Sequence, residues 1–190
     1  MDSERFRKVE ITSTDDLWNW LERHQAQEAS IWLVTWKAEH RECYVSRDEV
    51  LDALIAFGWV DGRRMKLDDN RTMLLLSPRK QQEWAQTYKD RADRLREEGR
   101  MQASGEAAIE RAKKAGLWNA TKAVDALHEP ADLVAELQKA KAYDWWSQGA
   151  PSYRRNILRW MDSAKRAETR SKRMSITVDH AKRHEKVPNY

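Results

Sequence analysis

Residues 46–62 read SRDEVLDALIAFGWVDG, and this stretch contains both the start and the end of a predicted helix. Ser46 and Glu49 have the spacing of a capping box, in which each side chain accepts a hydrogen bond from the other residue's backbone amide. Gly58 follows the apolar run, at the place where many helices end with a left-handed residue. The stretch therefore predicts a helix that ends near Phe57 and passes directly into an extended segment.

The segments on either side of this helix predict a small sheet. Residues 30–37 are β-branched and aromatic, which is typical of a buried strand. Residues 59–67 and 72–76 flank the polar turn 68–71, so they predict a hairpin. An earlier helix is expected from Thr14, because acidic residues follow it in the first turn.

The strand pattern stops at Pro78, and from Gln81 onward the sequence predicts helices only. The predicted fold class is therefore α+β. We expect a small antiparallel sheet with helices over residues 1–80, followed by a helical array over residues 81–190. We also expect these two parts to pack as one compact unit.

The composition describes a folded chain with a very polar surface. Charged residues make up 35% of its 190 residues and its mean hydropathy is -0.92, but ten Trp, five Tyr and two Phe supply large apolar areas for a core. The net charge is +4, and residues 150–186 hold 11 Lys and Arg against 4 Asp and Glu. This surplus indicates either an anionic partner or a solvated basic face. The oligomeric state is not predicted.

The common signatures of catalysis and metal binding do not occur in the sequence. A Gly-x-Ser-x-Gly elbow and a phosphate-binding glycine loop are both missing, and Cys43 is the single cysteine, which excludes an intramolecular disulfide. His180 and His184 share a helical spacing, but the neighbouring Lys182 and Arg183 repel a cation. We therefore expect no cofactor and no metal.

Nothing in the sequence predicts an attachment to a membrane. No run approaches the roughly 18 apolar residues that a membrane span needs. The first residues, 1–6, lack the apolar core of a signal peptide. We expect a cytoplasmic protein without a membrane partner.

Two groups of residues have a binding interpretation beside a structural one. Asp61 stands between a helix end and Gly62, where it suits either a turn or a ligand site. Arg166, Arg170 and Arg173 are spaced four and three residues apart and so share one helix face. Such arginines either bind phosphate or carboxylate groups of a ligand or form ion pairs within the fold.

Several motifs together resemble one bacterial family, the YdeI/OmpD-associated or bacteriocin-protection family, over roughly residues 10–178. The resemblance lies in Leu54–Gly62, Ser77-Pro78-Arg79, Trp84, Glu98–Met101, Ala112 with Gly116 and Trp118, and the segment Ala164–Arg173. It implies a YdhG-like α+β fold in the N-terminal part, a helical C-terminal part, and protection against bacteriocins or antimicrobial peptides without an assigned reaction. Around Trp84 the family tends to have Ser, Ser and Asn, where this chain has Gln82, Ala85 and Tyr88.

The resulting hypothesis is a cytoplasmic, non-enzymatic protein of stress or antimicrobial resistance that binds an anionic small molecule or an acidic protein. Arginines would bind the anion, Asp61 would orient one of them, and tryptophan would form an apolar wall. The candidate site residues are Trp59, Asp61, Arg63, Arg79, Trp84, Lys165, Arg170 and Arg173. Two alternatives stay open: sequence-independent nucleic-acid binding by the basic C-terminal helices, and an enzyme with a pocket around Asp61 and Arg79.

Overall fold

The computed structural model describes residues 5–189, and the chain forms two compact units, Met1–Asn119 and Ala120–Tyr190. Residues 1–4, which belong to the segment without a signal-peptide core, lie outside the described part. The elements of the first unit are β1 (Lys8–Glu10), α1 (Thr14–Arg23), β2 (Ile31–Trp36), α2 (Arg47–Phe57), β3 (Trp59–Lys66), β4 (Arg71–Pro78), α3 (Gln86–Glu97) and α4 (Ala103–Lys114).

The four strands form one sheet in the order β1-β2-β4-β3. β2, β4 and β3 pair antiparallel as expected, whereas β1 runs parallel to β2 and makes the sheet mixed. β1 was not predicted, because its three residues are too short to show an alternating pattern. The α+β class itself is confirmed, with strands in the N-terminal part and helices after them.

Helix α2 has the ends that its sequence predicts. The Ser46 hydroxyl accepts a hydrogen bond from the Glu49 amide at 3.2 Å, and the Glu49 carboxylate accepts one from the Ser46 amide at 2.8 Å. Gly58 ends the helix with a φ of 73°. All residues from Val50 to Phe57 are buried, since α1, α3, α4 and β3 surround this helix. Helix α2 is therefore the central helix of the first unit.

The sheet buries different side chains on its two faces. Leu33, Leu74 and Leu76 face the helices and join the main core, while Trp32 and Met73 join a smaller cluster on the opposite face. The strands end at Pro78 as predicted, but α3 and α4 also belong to the first compact unit. The predicted boundary after residue 80 therefore marks the end of the strands. That the N-terminal and C-terminal parts pack as one compact unit stays a prediction.

The second unit is an array of helices around its own core. Its elements are α5 (Lys122–Asp125), α6 (Ala131–Lys139), α7 (Tyr143–Ser147), α8 (Pro151–Asp162) and α9 (Ala167–Lys182). Leu133, Leu137, Trp146 and Ile157 are fully buried in that core. Among the described residues, no helix is both long and apolar enough to cross a membrane.

Because α2 and α4 are in close contact at Gly105, we expect any side chain at this position to destabilise the protein. A Cβ atom added to Gly105 would lie 2.1 Å from the backbone oxygen of Ala56, so Gly105→Ala must push α4 away from the central helix. We expect this substitution to lower the free energy of unfolding by about 3 kcal/mol or more, although alanine favours helices. Urea denaturation measures the change.

Gly116→Ala is the matched control for this prediction. Gly116, unlike Gly105, has a positive φ, 73°, but an added Cβ would meet nothing within 4 Å. We expect only the backbone cost, about 1–2 kcal/mol. Equal losses in the two variants would contradict a close α2–α4 contact.

Candidate functional site

Arg79 is a buried cation at the end of β4. Only 3% of its surface is exposed, and its guanidinium carbon lies 4.2 Å from the centroid of the Trp84 ring and 5.1 Å from that of Tyr88. Its Nη1 atom donates a hydrogen bond to the backbone oxygen of Glu83 at 2.9 Å. The sequence predicts a helix from Gln81, but the chain bends around this guanidinium and α3 begins only at Gln86.

Tyr88 connects this cation to Asp61. Its hydroxyl donates a hydrogen bond to Asp61 Oδ1 at 3.0 Å. Burial and the nearby carboxylate both raise the pKa of Tyr88, so it stays a neutral donor at physiological pH. Burial lowers the pKa of Arg79, and Tyr88 and Asp61 act against this change. We call these four residues, Asp61, Arg79, Trp84 and Tyr88, the buried arginine cluster.

Three members of the cluster, Asp61, Arg79 and Trp84, are predicted site residues. The fourth, Tyr88, stands where the family tends to have Asn. Sequence reasoning did not identify Tyr88 as a contact of Asp61, because the two are 27 residues apart. Trp59 lies elsewhere, in the main core: it is 1% exposed and packs edge-on against Trp20 with ring centroids 5.7 Å apart. The roles of these residues in ligand binding stay predictions.

A β-bulge decides which arginine of β3 faces the helices. Asp61 pairs with Leu76 and Arg64 pairs with Leu74, so two residues of β3 lie opposite the single residue Leu75. Asp61 and Arg64 consequently share the helix-facing side of the sheet. Arg63 lies on the other side, with its guanidinium carbon 5.5 Å from the centroid of the Trp32 ring.

Asp61 and Arg64 line a cavity of about 230 Å³ between β3 and α2. Its lining consists of charged side chains at the rim and apolar side chains at the floor: Arg47, Val50, Leu51, Asp61, Gly62, Arg64 and Leu74. Arg47 and Arg64 also line an adjoining open groove of about 440 Å³, to which Trp36, Lys37 and Tyr44 contribute. We call the smaller space the Arg47–Arg64 cavity.

The two arginines of this cavity are exposed and have no carboxylate partner. Within residues 5–189, no acidic oxygen lies within 4 Å of the Arg47 or the Arg64 guanidinium. Arg64 Nη1 donates a hydrogen bond to the Thr72 hydroxyl at 2.9 Å, which holds the side chain without neutralising its charge. The cavity therefore combines an apolar floor with two guanidinium groups that form no ion pair, and the Asp61 carboxylate lies on the same wall as Arg64.

The arginines of α9, unlike Arg47 and Arg64, bind groups of the protein itself. Arg170 forms two hydrogen bonds with Asp132, including Nη2 to Oδ1 at 3.0 Å, and these bonds lower the pKa of Asp132. Arg173 donates to the Trp160 carbonyl and, at 2.9 Å, to the Ser163 hydroxyl. Lys165 is exposed. Arg170 and Arg173 thus hold the second unit together internally.

Arg79 and Arg170 belong to different compact units. Each of them already binds groups of its own unit: carbonyl oxygens in the case of Arg79 and a carboxylate in the case of Arg170. A combined site that includes both arginines stays a prediction.

Glu129 is the centre of a second polar cluster that the sequence did not reveal. Its side chain is 10% exposed and accepts hydrogen bonds from Arg154 Nη2 and Trp146 Nε1, each at 2.6 Å, and from the Tyr143 hydroxyl at 3.1 Å. Burial alone raises the pKa of Glu129, but these three donors outweigh burial and leave the pKa below its usual value. The carboxylate therefore stays ionised inside the second unit.

Two family models match the chain. The model described as a domain of unknown function (DUF8412) matches residues 9–108, which is more than half of the chain. The model described as "Bacteriocin-protection, YdeI or OmpD-Associated" matches residues 126–184. The expected resemblance is thus confirmed in the C-terminal part, which contains the Ala164–Arg173 motif, and the first model covers most of the first unit. No match to a curated protein or to a solved structure was found.

The buried arginine cluster predicts that Arg79 cannot be replaced by another cation. Arg79→Lys keeps the charge but loses the planar group that stacks on Trp84 and Tyr88. We expect it to lower the free energy of unfolding by about 2 kcal/mol or more. Arg41→Lys, at an exposed position of the same unit, is expected to change it by less than about 0.5 kcal/mol. Equal free energies of unfolding for Arg79→Lys and Arg41→Lys would contradict the structural role of Arg79.

Glu129 predicts a pH-dependent difference in stability. A carboxylate with a lowered folded pKa stabilises the protein above its unfolded pKa of about 4.3, and this stabilisation is lost as pH falls through the folded value. We expect Glu129→Gln to cost about 2 kcal/mol at pH 7 and progressively less below about pH 4. Denaturation curves of both proteins between pH 3 and 7 measure this, and a difference that grows on acidification would contradict the assignment.

Proposed function

We propose that this chain, which belongs to the family described as a domain of unknown function (DUF8412), is a cytoplasmic, non-enzymatic protein of stress or antimicrobial resistance that binds an anionic ligand or partner. The match of residues 126–184 to the bacteriocin-protection model supports the protective role. The Arg47–Arg64 cavity supports anion binding, and it lies within the part that defines the family.

The observation that carries the proposal is the pair of unneutralised guanidinium groups at one cavity. Hydrogen bonds from guanidinium groups to a carboxylate or phosphate are stronger than bonds between neutral groups and fix the geometry of the anion. Val50, Leu51 and Leu74 offer apolar contact below the charges. Arg79, Arg170 and Arg173 support anion binding less, because each of them already binds groups of the protein.

The alternative of an enzyme with a pocket around Asp61 and Arg79 has less geometric support. Asp61 lines the cavity and accepts a hydrogen bond from Tyr88, but Arg79 is buried beneath the Trp84 ring and binds carbonyl oxygens. The two groups therefore do not offer an open acid–cation pair to a substrate.

Nucleic-acid binding has support from a different surface. Lys165, Arg166 and Lys172 are exposed, and within the described part of the second unit no carboxylate oxygen lies within 4 Å of them. A phosphate backbone bound there would give an affinity that falls steeply with salt. If this alternative holds, nucleic-acid binding should depend on these three residues and not on Arg47 and Arg64.

Isothermal titration with benzoate tests the proposal, because this probe combines one carboxylate with an apolar ring. We expect Arg47→Gln and Arg64→Gln each to weaken benzoate binding by about tenfold or more, since each removes one charge-assisted contact. Arg41→Gln, which makes the same charge change outside both cavities, should leave binding unchanged.

Two results would contradict the proposal. The first is benzoate affinity that is the same in the wild type and in both cavity variants. The second is retardation of DNA at low salt that is lost in Lys165→Gln and Lys172→Gln but kept in Arg64→Gln, together with no benzoate binding. This second result would favour the nucleic-acid alternative.

A further inference from the structure

We propose that the ligand of the Arg47–Arg64 cavity is a free α-amino acid with an apolar side chain. This inference rests on the proposed anion binding and adds to it the chemical class of the ligand. The arginines would bind the α-carboxylate, Asp61 would bind the α-ammonium group, and the apolar floor would contact the side chain.

The Arg47–Arg64 cavity contains both signs of charge. Arg47 and Arg64 contribute the positive charge, and Asp61 contributes a negative charge on the same wall as Arg64. The bulge in β3 places Asp61 and Arg64 on one face of the sheet, although they are an odd number of residues apart. A ligand that carries only negative charge gains from the arginines but is repelled by Asp61.

The Asp61 carboxylate is held in place by a hydrogen bond to only one of its two oxygens. Tyr88 binds Oδ1 at 3.0 Å, whereas Oδ2 has no hydrogen bond within the described residues. Tyr88 is itself fixed by its contact with the Arg79 guanidinium. An ionised carboxylate accepts more than one hydrogen bond, so Oδ2 has capacity for a donor from the ligand. An ammonium group supplies such a donor and also compensates the charge.

The volume of the cavity limits the size of the ligand that it can enclose. The cavity of about 230 Å³ is smaller than the roughly 300–1,000 Å³ of pockets that hold drug-sized ligands. The cavity itself therefore suits a molecule of amino-acid size, whereas a nucleotide would have to extend into the adjoining groove. Val50, Leu51 and Leu74 form the floor, so apolar side chains such as those of leucine and phenylalanine match it better than charged ones.

The test compares ligands that differ only in the ammonium group. We would measure, by isothermal titration with the wild-type protein, L-leucine against 4-methylpentanoate and L-phenylalanine against 3-phenylpropanoate. In at least one pair the amino acid should bind about tenfold more tightly than its carboxylate analogue, because only the amino acid contacts Asp61. The corresponding amines, which lack the carboxylate, should bind more weakly than the amino acids.

Asp61→Asn identifies the residue responsible for this preference. Asparagine keeps an acceptor for the Tyr88 hydroxyl but removes the charge, so the amino acid should lose its advantage over the carboxylate analogue. The wild-type comparison decides the question by itself if this variant does not fold. Arg64→Gln should weaken both members of a pair by a similar factor.

The outcomes separate this inference from the proposal on which it rests. Carboxylate analogues that bind as tightly as the amino acids in both pairs would overturn the amino-acid assignment and leave anion binding intact. Absence of binding by all of these ligands and by benzoate would overturn both. An amino-acid preference that persists unchanged in Asp61→Asn would overturn the role of Asp61.

Discussion

Burial of the Arg79 cation is the constraint on which the geometry of the first unit depends. A guanidinium that is 3% exposed needs partners for its charge and its N–H groups. The rings of Trp84 and Tyr88 face the charge and the carbonyl of Glu83 accepts a hydrogen bond from Nη1, so the end of β4, the following loop and α3 are held together at one point. Through Tyr88 the same point orients Asp61, and Asp61 forms part of the wall of the Arg47–Arg64 cavity. The structural cluster and the binding surface are thus neighbours that share one carboxylate.

The sequence predicts α2 and the β3–β4 hairpin well, because their ends have local signals, but it misses β1 and places the start of α3 at Gln81 instead of Gln86. Ser46, Glu49 and Gly58 determine the ends of α2 within a few residues, and the structure confirms them. Which arginine lines the cavity could not be predicted in this way. Regular alternation along β3 would place Arg63 on the same face of the sheet as Asp61, but because of the bulge Arg64 lies on that face instead. A bulge depends on how two strands pair, and this information is not contained in either strand alone.

The arginines of the second unit show the same limit. Their spacing predicts that Arg166, Arg170 and Arg173 share one helix face, but Arg166 precedes α9 as its N-cap residue. The partner of Arg170 also lies far away in sequence, since Asp132 is 38 residues from it. The Glu129 cluster was missed for a related reason, since its donors come from α7 and α8. Local patterns give the elements and the helix faces. Long-range pairing decides whether an arginine holds the fold together or is open to a ligand.

We propose that the cations of Arg47 and Arg64, and not the arginines of α9 or Arg79, bind the anion. Anomalous diffraction from crystals soaked with 4-bromobenzoate tests it most directly, because the bromine marks the position of the ring and the carboxylate follows from the density. We expect the bromine above Val50, Leu51 and Leu74, with the carboxylate against Arg64. A carboxylate bound at Arg170 or Arg173, with nothing in the Arg47–Arg64 cavity, would contradict it.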